Sequence, residues 1–226
     1  MDVTERFAEA VVADDVALDV AALCIAAQAH PDLDIDVARA RLDQLASSCA
    51  DASFEGLRVH LFATEGFRGD VDNYADPENS FLDAVLERRL GIPITLSVLM
   101  MEVGRRRGID VRGVGMPGHF LVKDGTRGDT WCDPFHGGGL LDAADCRRLF
   151  DRVHGSIRPF HPTFLAPTPA RRIVARMLAN LEHGSLAADP VQLAWMCRLH
   201  LAIPDLGDDE RRRLEALSRT AIARWN

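Results

Sequence analysis

The sequence predicts an α+β protein: a helical N-terminal half, one central buried helix, a small antiparallel sheet and C-terminal helical hairpins. Three observations carry this. Apolar residues recur at helical spacing early in the chain, as in Val16, Val20, Leu23 and Ala27. Residues 94–103 are apolar around the whole circumference (Ile94, Leu96, Val98, Leu99, Met100, Met101, Val103), so a helix there belongs inside the protein. Between 111 and 132 the pattern changes to short runs separated by Gly and Pro turns, which suits strands.

Taken in order, Asp14 caps a helix running to about Gln28, and His30-Pro31 ends it. Asp36 caps a second helix with Leu42 and Leu45 inward, and a third runs from Phe54 to Thr64. Asp76-Pro77 or Ser80 opens the next, Ser80 and Asp83 fitting a capping box. Gly91 supplies its left-handed cap, and Pro93 takes the first position of the central helix. Arg105, Arg106 and Arg107 complement that helix's C-terminal dipole as a solvated end, and Gly108 stops it. Strands follow at 111–115, 119–123 and 130–132, with Gly137 to Gly139 as a tight turn. Four prolines in residues 159–169 mark a stiff connector. Helices at about 170–183, 190–202 and 208–225 make the tail, the first with an apolar stripe from Ile173 to Leu181.

Composition narrows the function. A formal charge of −8 on 226 residues argues against a nucleic-acid partner and an anionic membrane surface. No apolar run reaches bilayer-spanning length and no leader pattern opens the chain, so a cytoplasmic location is expected. The five cysteines (Cys24, Cys49, Cys132, Cys146, Cys197) form no CxxC, which disfavours a zinc cage or disulfide framework. No cofactor is indicated. Lys123 is the sole lysine.

The chemistry-bearing residues gather around the hairpin. Pairing Lys123 with Thr130 sets His119 and Phe120 opposite Pro134 and Asp133, bringing Asp133 beside His119. A carboxylate on an imidazole fixes its tautomer, as in a retained catalytic dyad; equally, it ties two strands together. Adding His136 gives a His119/Asp133/His136 set of zinc-compatible ligand types, although the spacing is no metal signature. Cys132 directly precedes Asp133, and strand alternation turns it to the other face. Asn79 either donates to a bound carbonyl or caps a turn. Asp76, Arg88 and Arg89 precede the central helix and border the same region.

Several stretches resemble the SirB-type branch of the transglutaminase-like superfamily: PDLDI at 31–35, GFRGDVDNYADPENSFLDAVLERRLGIPITLS at 66–97, GIDVRGVGMPGHFLVK at 108–123, DPFHGG at 133–138 and RMLANL at 176–181. The resemblance covers about residues 15–183 and implies a cysteine-protease-like core followed by a tetratricopeptide-like tail; with the proline-rich connector at 159–169 as the boundary, these fall at 1–158 and 170–226. It makes His119 and Asp133 two members of a hydrolytic triad and puts the nucleophilic Cys at 93–95. This chain has Pro93, Ile94 and Thr95 there. Thr95 or Ser97 offers only a hydroxyl, far less acidic than a thiol, and Thr95 at the third helical position suits capping of the helix backbone. The expected function is therefore a non-catalytic module binding a protein or peptide. The alternative is a hydrolase or acyltransferase using the His119/Asp133 pair with a substitute nucleophile, water or a metal.

Overall fold

The computed structural model describes residues 2–155 and 157–225. Helix α1 (Val3–Val12), which the sequence pattern had not marked, packs on α2 (Leu18–Ala29). α2 is buried from Ala21 to Ala27, consistent with its small apolar residues. α3 (Ile35–Ser48) starts two residues earlier than expected: Asp34, not Asp36, is the cap, accepting from the Asp36 and Val37 amides at 3.0 and 3.1 Å. α4 (Phe54–Arg58) continues into a π-helical turn at Val59–Thr64.

The segment leading to the central helix also departs from expectation. Asp76 caps a 3-10 turn, Pro77–Ser80, and α5 (Leu82–Arg88) follows without a side-chain cap. The left-handed residue closing α5 is Arg89 (φ 60°), because Gly91 is drawn into a parallel pairing of β2 (Leu90–Gly91) with β1 (Arg68–Gly69). Gly69 is required there: a Cβ would lie 2.4 Å from the Phe135 ring.

Helix α6 (Pro93–Arg106) occupies the interior, with Pro93 to Met100 all buried. Its basic end is solvated only in part: Arg105 is exposed, whereas Arg106 is drawn inward. Arg106 bonds Asp19 (2.5 Å), Asp43 (2.6 Å) and Glu102 (2.8 Å), its side chain only 10% exposed, because α2 and α3 place carboxylates against it.

The main sheet runs in the antiparallel order β3 (Val111–Val114), β4 (Leu121–Asp124), β5 (Trp131–Asp133), β6 (Gly139–Leu141). Lys123 pairs with Trp131 and Val122 with Cys132, one residue from the expected register. The shift arises because Asp124 still belongs to the strand. Its amide bonds the Thr130 carbonyl, and its carboxylate accepts from Thr126 and Arg127, starting the turn there. His119 consequently lies in the turn before β4, not in a strand.

One sheet face (Val111, Val122, Cys132) joins the core of α1 to α6, together with α8 (Ala170–Glu182) and α9 (Pro190–Leu201). The other face (Val114, Leu121, Trp131) is covered by Cys146, Leu149 and Phe150 of α7 (Ala143–His154). Neither β6 nor α7 had been marked in the sequence. α10 (Asp208–Trp225) packs along α9. Among the described residues no helix is long and apolar enough to cross a membrane.

Candidate functional site

His119 is set by the turn that precedes it. Gly118 has φ +73°, and the His119 amide closes on the Met116 carbonyl at 3.1 Å. Asp133 ends β5. Continuing the observed register puts Asp133 across from Leu121, so His119, two residues back, is its diagonal neighbour on the same face. His119 Nε2 lies 3.0 Å from both Asp133 carboxylate oxygens. Asp133 also accepts from His136 Nδ1 (2.7 Å) and from the Phe135 and His136 amides (3.1 and 3.3 Å). Burial alone would raise the Asp133 carboxyl, but the bonds and charges of His119 and His136 outweigh it and hold it below its ordinary range. His119 and Asp133 are buried; His136 is exposed, and the positive-φ residues Gly137 and Gly138 follow it.

His119, Asp133 and His136 thus come together, one donor atom from each within 4.8 Å of the others. Among the described residues these three form a group that could hold a metal ion. Hydrogen bonding already accounts for their arrangement, since the carboxylate takes two imidazoles and two amides.

The start of α6 supplies no thiol. Ile92 is its N-cap and Pro93, Ile94 and Thr95 fill its first three positions. Thr95 does not cap the helix as the sequence suggested: its fully buried Oγ1 has no hydrogen-bond partner among the described residues. Ser97 is spent, its hydroxyl donating to the Pro93 carbonyl at 2.7 Å. Neither hydroxyl bonds His119. All five cysteines are buried. Cys132 faces the main core, and burial, reinforced by the Asp133 charge, pushes its thiol up.

Asn79 borders the helix start, its carbonyl accepting from the Ile92 amide at 3.1 Å. Its Nδ2 is not free for a ligand carbonyl, because it donates to Asp70 (3.1 Å) and to the Asn73 carbonyl (2.9 Å). That pairing fixes the amide orientation and leaves Oδ1 buried without a partner. Arg88 is tied to Asp76 at 2.7 Å and lies 3.6 Å from Asp70; Arg89 reaches Glu65 at 3.0 Å. Both arginines therefore brace the loop, and Arg88 Nη1 is buried without a hydrogen-bond partner among the described residues. A cavity of about 560 Å³ lies between this loop and the end of α8, lined by Tyr74, Asp76, Ser80, Ile92 and Asn180 among others.

Two contributors escaped sequence reading. Arg176 of α8 donates to the Met116 carbonyl from both terminal nitrogens (3.0 Å each) and to the His119 carbonyl (2.8 Å), lying over the Phe120 ring. It clamps the turn that aims His119. The signal available was the one charged residue between Ile173 and Leu181. Tyr74 lies edge-on to Phe135, whose ring in turn stands edge-on to His119, so it links the cavity wall to the dyad.

Comparison with known proteins agrees with this architecture. Residues 25–179 match the family described as the transglutaminase-like superfamily. A UPF0162 protein of Xylella fastidiosa (strain 9a5c) is 39% identical over 174 residues, covering 71% of this chain and 62% of the relative's length. The chain therefore spans under two thirds of that relative. A UPF0162 protein of Pseudomonas aeruginosa is 30% identical over 201 residues, 84% of this chain and 73% of its own. F-box only protein 21 of Mus musculus is 28% identical over 138 residues, 56% of this chain but 21% of that protein. No solved structure matches. With a family match over most of its core and a Pseudomonas relative covered along most of its length, this chain belongs to the transglutaminase-like superfamily and, within it, to the UPF0162 group of bacterial proteins.

Proposed function

We propose that this chain is a SirB-type transglutaminase-like domain that binds a protein or peptide partner without turning it over, its C-terminal helices forming a tetratricopeptide-like extension of the binding surface. The observation that carries this reading is the start of α6. Pro93, Ile94 and Thr95 stand where the superfamily resemblance puts the nucleophile, and the five thiols are all buried. A nucleophilic Cys needs exposure and an imidazole to favour its thiolate; all five here are buried. The cavity beside Tyr74 and Ile92 gives a partner segment somewhere to enter.

A peptide-display selection on the purified chain, followed by turnover assays on the selected peptides, tests this. Binding that survives His119→Ala, with no cleavage or acyl transfer, supports it. Product formation abolished by His119→Ala would overturn it.

One observation favours the catalytic alternative. Asp133 holds Nε2 of His119, while Nδ1 has no hydrogen-bond partner among the described residues. A neutral imidazole so held keeps its lone pair on Nδ1, the arrangement a general base acting on water requires. The turnover assay separates the two readings.

A further inference from the structure

Two imidazole nitrogens converge on a single oxygen of Asp133. Its Oδ2 accepts from His119 Nε2 at 3.0 Å and from His136 Nδ1 at 2.7 Å, and from nothing else among the described residues. Oδ1 is held differently. It takes the Phe135 and His136 amides at 3.1 and 3.3 Å and shares His119 Nε2. The backbone thus fixes the carboxylate through one oxygen and leaves the other to the two rings. Outer-shell bonding of this kind is how a ligating carboxylate is aimed.

The hydrogen bonds need a proton on each facing ring nitrogen, because an ionised carboxylate only accepts. One divalent ion would take the place of both protons, meeting two neutral imidazoles and one negative charge. With bonds of about 2.0–2.1 Å, tetrahedral angles set neighbouring ligand atoms about 3.3 Å apart. The two nitrogen–oxygen separations here fall short of that by less than an ångström, and the three donor atoms lie within 4.8 Å of one another. Two of the donors are firmly placed. Arg176 clamps the turn that aims His119, and Asp133 ends a strand. The small expansion falls to His136, whose side chain is 57% exposed and gives the ion a way in. The arginines that border the site are engaged: Arg176 with backbone carbonyls, Arg58 with Glu55 and the Gly138 carbonyl.

We infer that His119 Nε2, Asp133 Oδ2 and His136 Nδ1 form a binding site for one divalent ion of the zinc type. Mixed imidazole and carboxylate donors suit such borderline ions, whereas Mg²⁺ and Ca²⁺ take oxygen ligands. Three protein ligands leave a position for water. Ligation through Nε2 keeps the His119 proton on Nδ1. The loaded protein therefore lacks the free Nδ1 lone pair on which the general-base reading depends. The site itself rests on neither reading of function.

The experiment titrates ZnCl₂ into the full chain, previously stripped with EDTA, by calorimetry, and follows the ring nitrogens of ¹⁵N-labelled histidine. One ion per chain is expected, with His119 Nε2 and His136 Nδ1 as the resonances that move. Mg²⁺ at millimolar concentration should not compete. His136→Ala, a change at an exposed position, should weaken zinc binding at least about tenfold, since loss of an outer-shell partner alone costs about 10–100-fold. Asp133→Asn should weaken it likewise. His183→Ala, at an exposed histidine outside the site, should leave it unchanged. No stoichiometric uptake, uptake undiminished in His136→Ala, shifts confined to other histidines, or equal competition by Mg²⁺ would each overturn the inference.

Discussion

Asp133 is shared by two imidazoles of opposite accessibility: buried His119 at 3.0 Å and exposed His136 at 2.7 Å. Because the folded carboxyl is held below its unfolded value, its contribution is present above the ordinary carboxylate pKa of about 3.9 and is lost as pH falls through the lower folded value. Asp133→Asn should cost about 1–3 kcal/mol at pH 7. In urea unfolding, the gap between variant and parent should shrink below about pH 4. A gap that stays constant with pH would contradict this.

The cysteines should be inert in the native state. Burial raises Cys24 to about 11, Cys146 to about 12 and Cys197 to about 11. At neutral pH iodoacetamide should label none of them faster than the protein unfolds, and all five after denaturation. Fast native labelling of Cys132 that depends on His119 would restore a thiol nucleophile to the site.

Arg176→Lys should not rescue the clamp on the His119 turn. A single ammonium cannot reproduce the guanidinium's planar grip on two carbonyls, so a loss of about 1–2 kcal/mol is expected. Hydrogen exchange at the His119 amide should accelerate. Exchange unchanged from the parent would mean the turn holds itself.

His30 has the opposite pH signature from Asp133. Burial opposes protonation, but bonds to Asp83 (2.6 Å) and Glu78 (3.4 Å) raise its pKa overall. Its stabilisation is thus full below the unfolded value of about 6.5 and disappears as pH rises through the folded one. His30→Gln should have a lower Tm than the parent at pH 5.5 and match it at pH 9. Equal deficits at both pH values would refute the assignment.

How far the sequence reached depended on whether the deciding interaction was local. Pro93 at the helix start, Gly108 past its end and the tail helices all follow from neighbours in the chain, and they stand where local rules put them. The His119–Asp133 contact was legible because a hairpin tolerates a one-residue register slip when the partner is reached diagonally. The left-handed Arg89 and the half-buried Arg106 were decided by remote partners: Gly91's pairing with Gly69 and the carboxylates of Asp19 and Asp43. No spacing rule reports those. Arg176 was hidden for the same reason, its two target carbonyls lying about sixty positions upstream.

Arg171 of α8 holds the Val11, Val12 and Ala13 carbonyls at 2.8–2.9 Å, so the end of the first helix is tied to the first helix beyond the proline-rich connector. Ile173, Met177 and Leu181 sit in the same apolar interior as α1 and α2. Cutting the backbone within the connector would therefore leave a non-covalent heterodimer of the two fragments, and parting them would demand dismantling the interior itself.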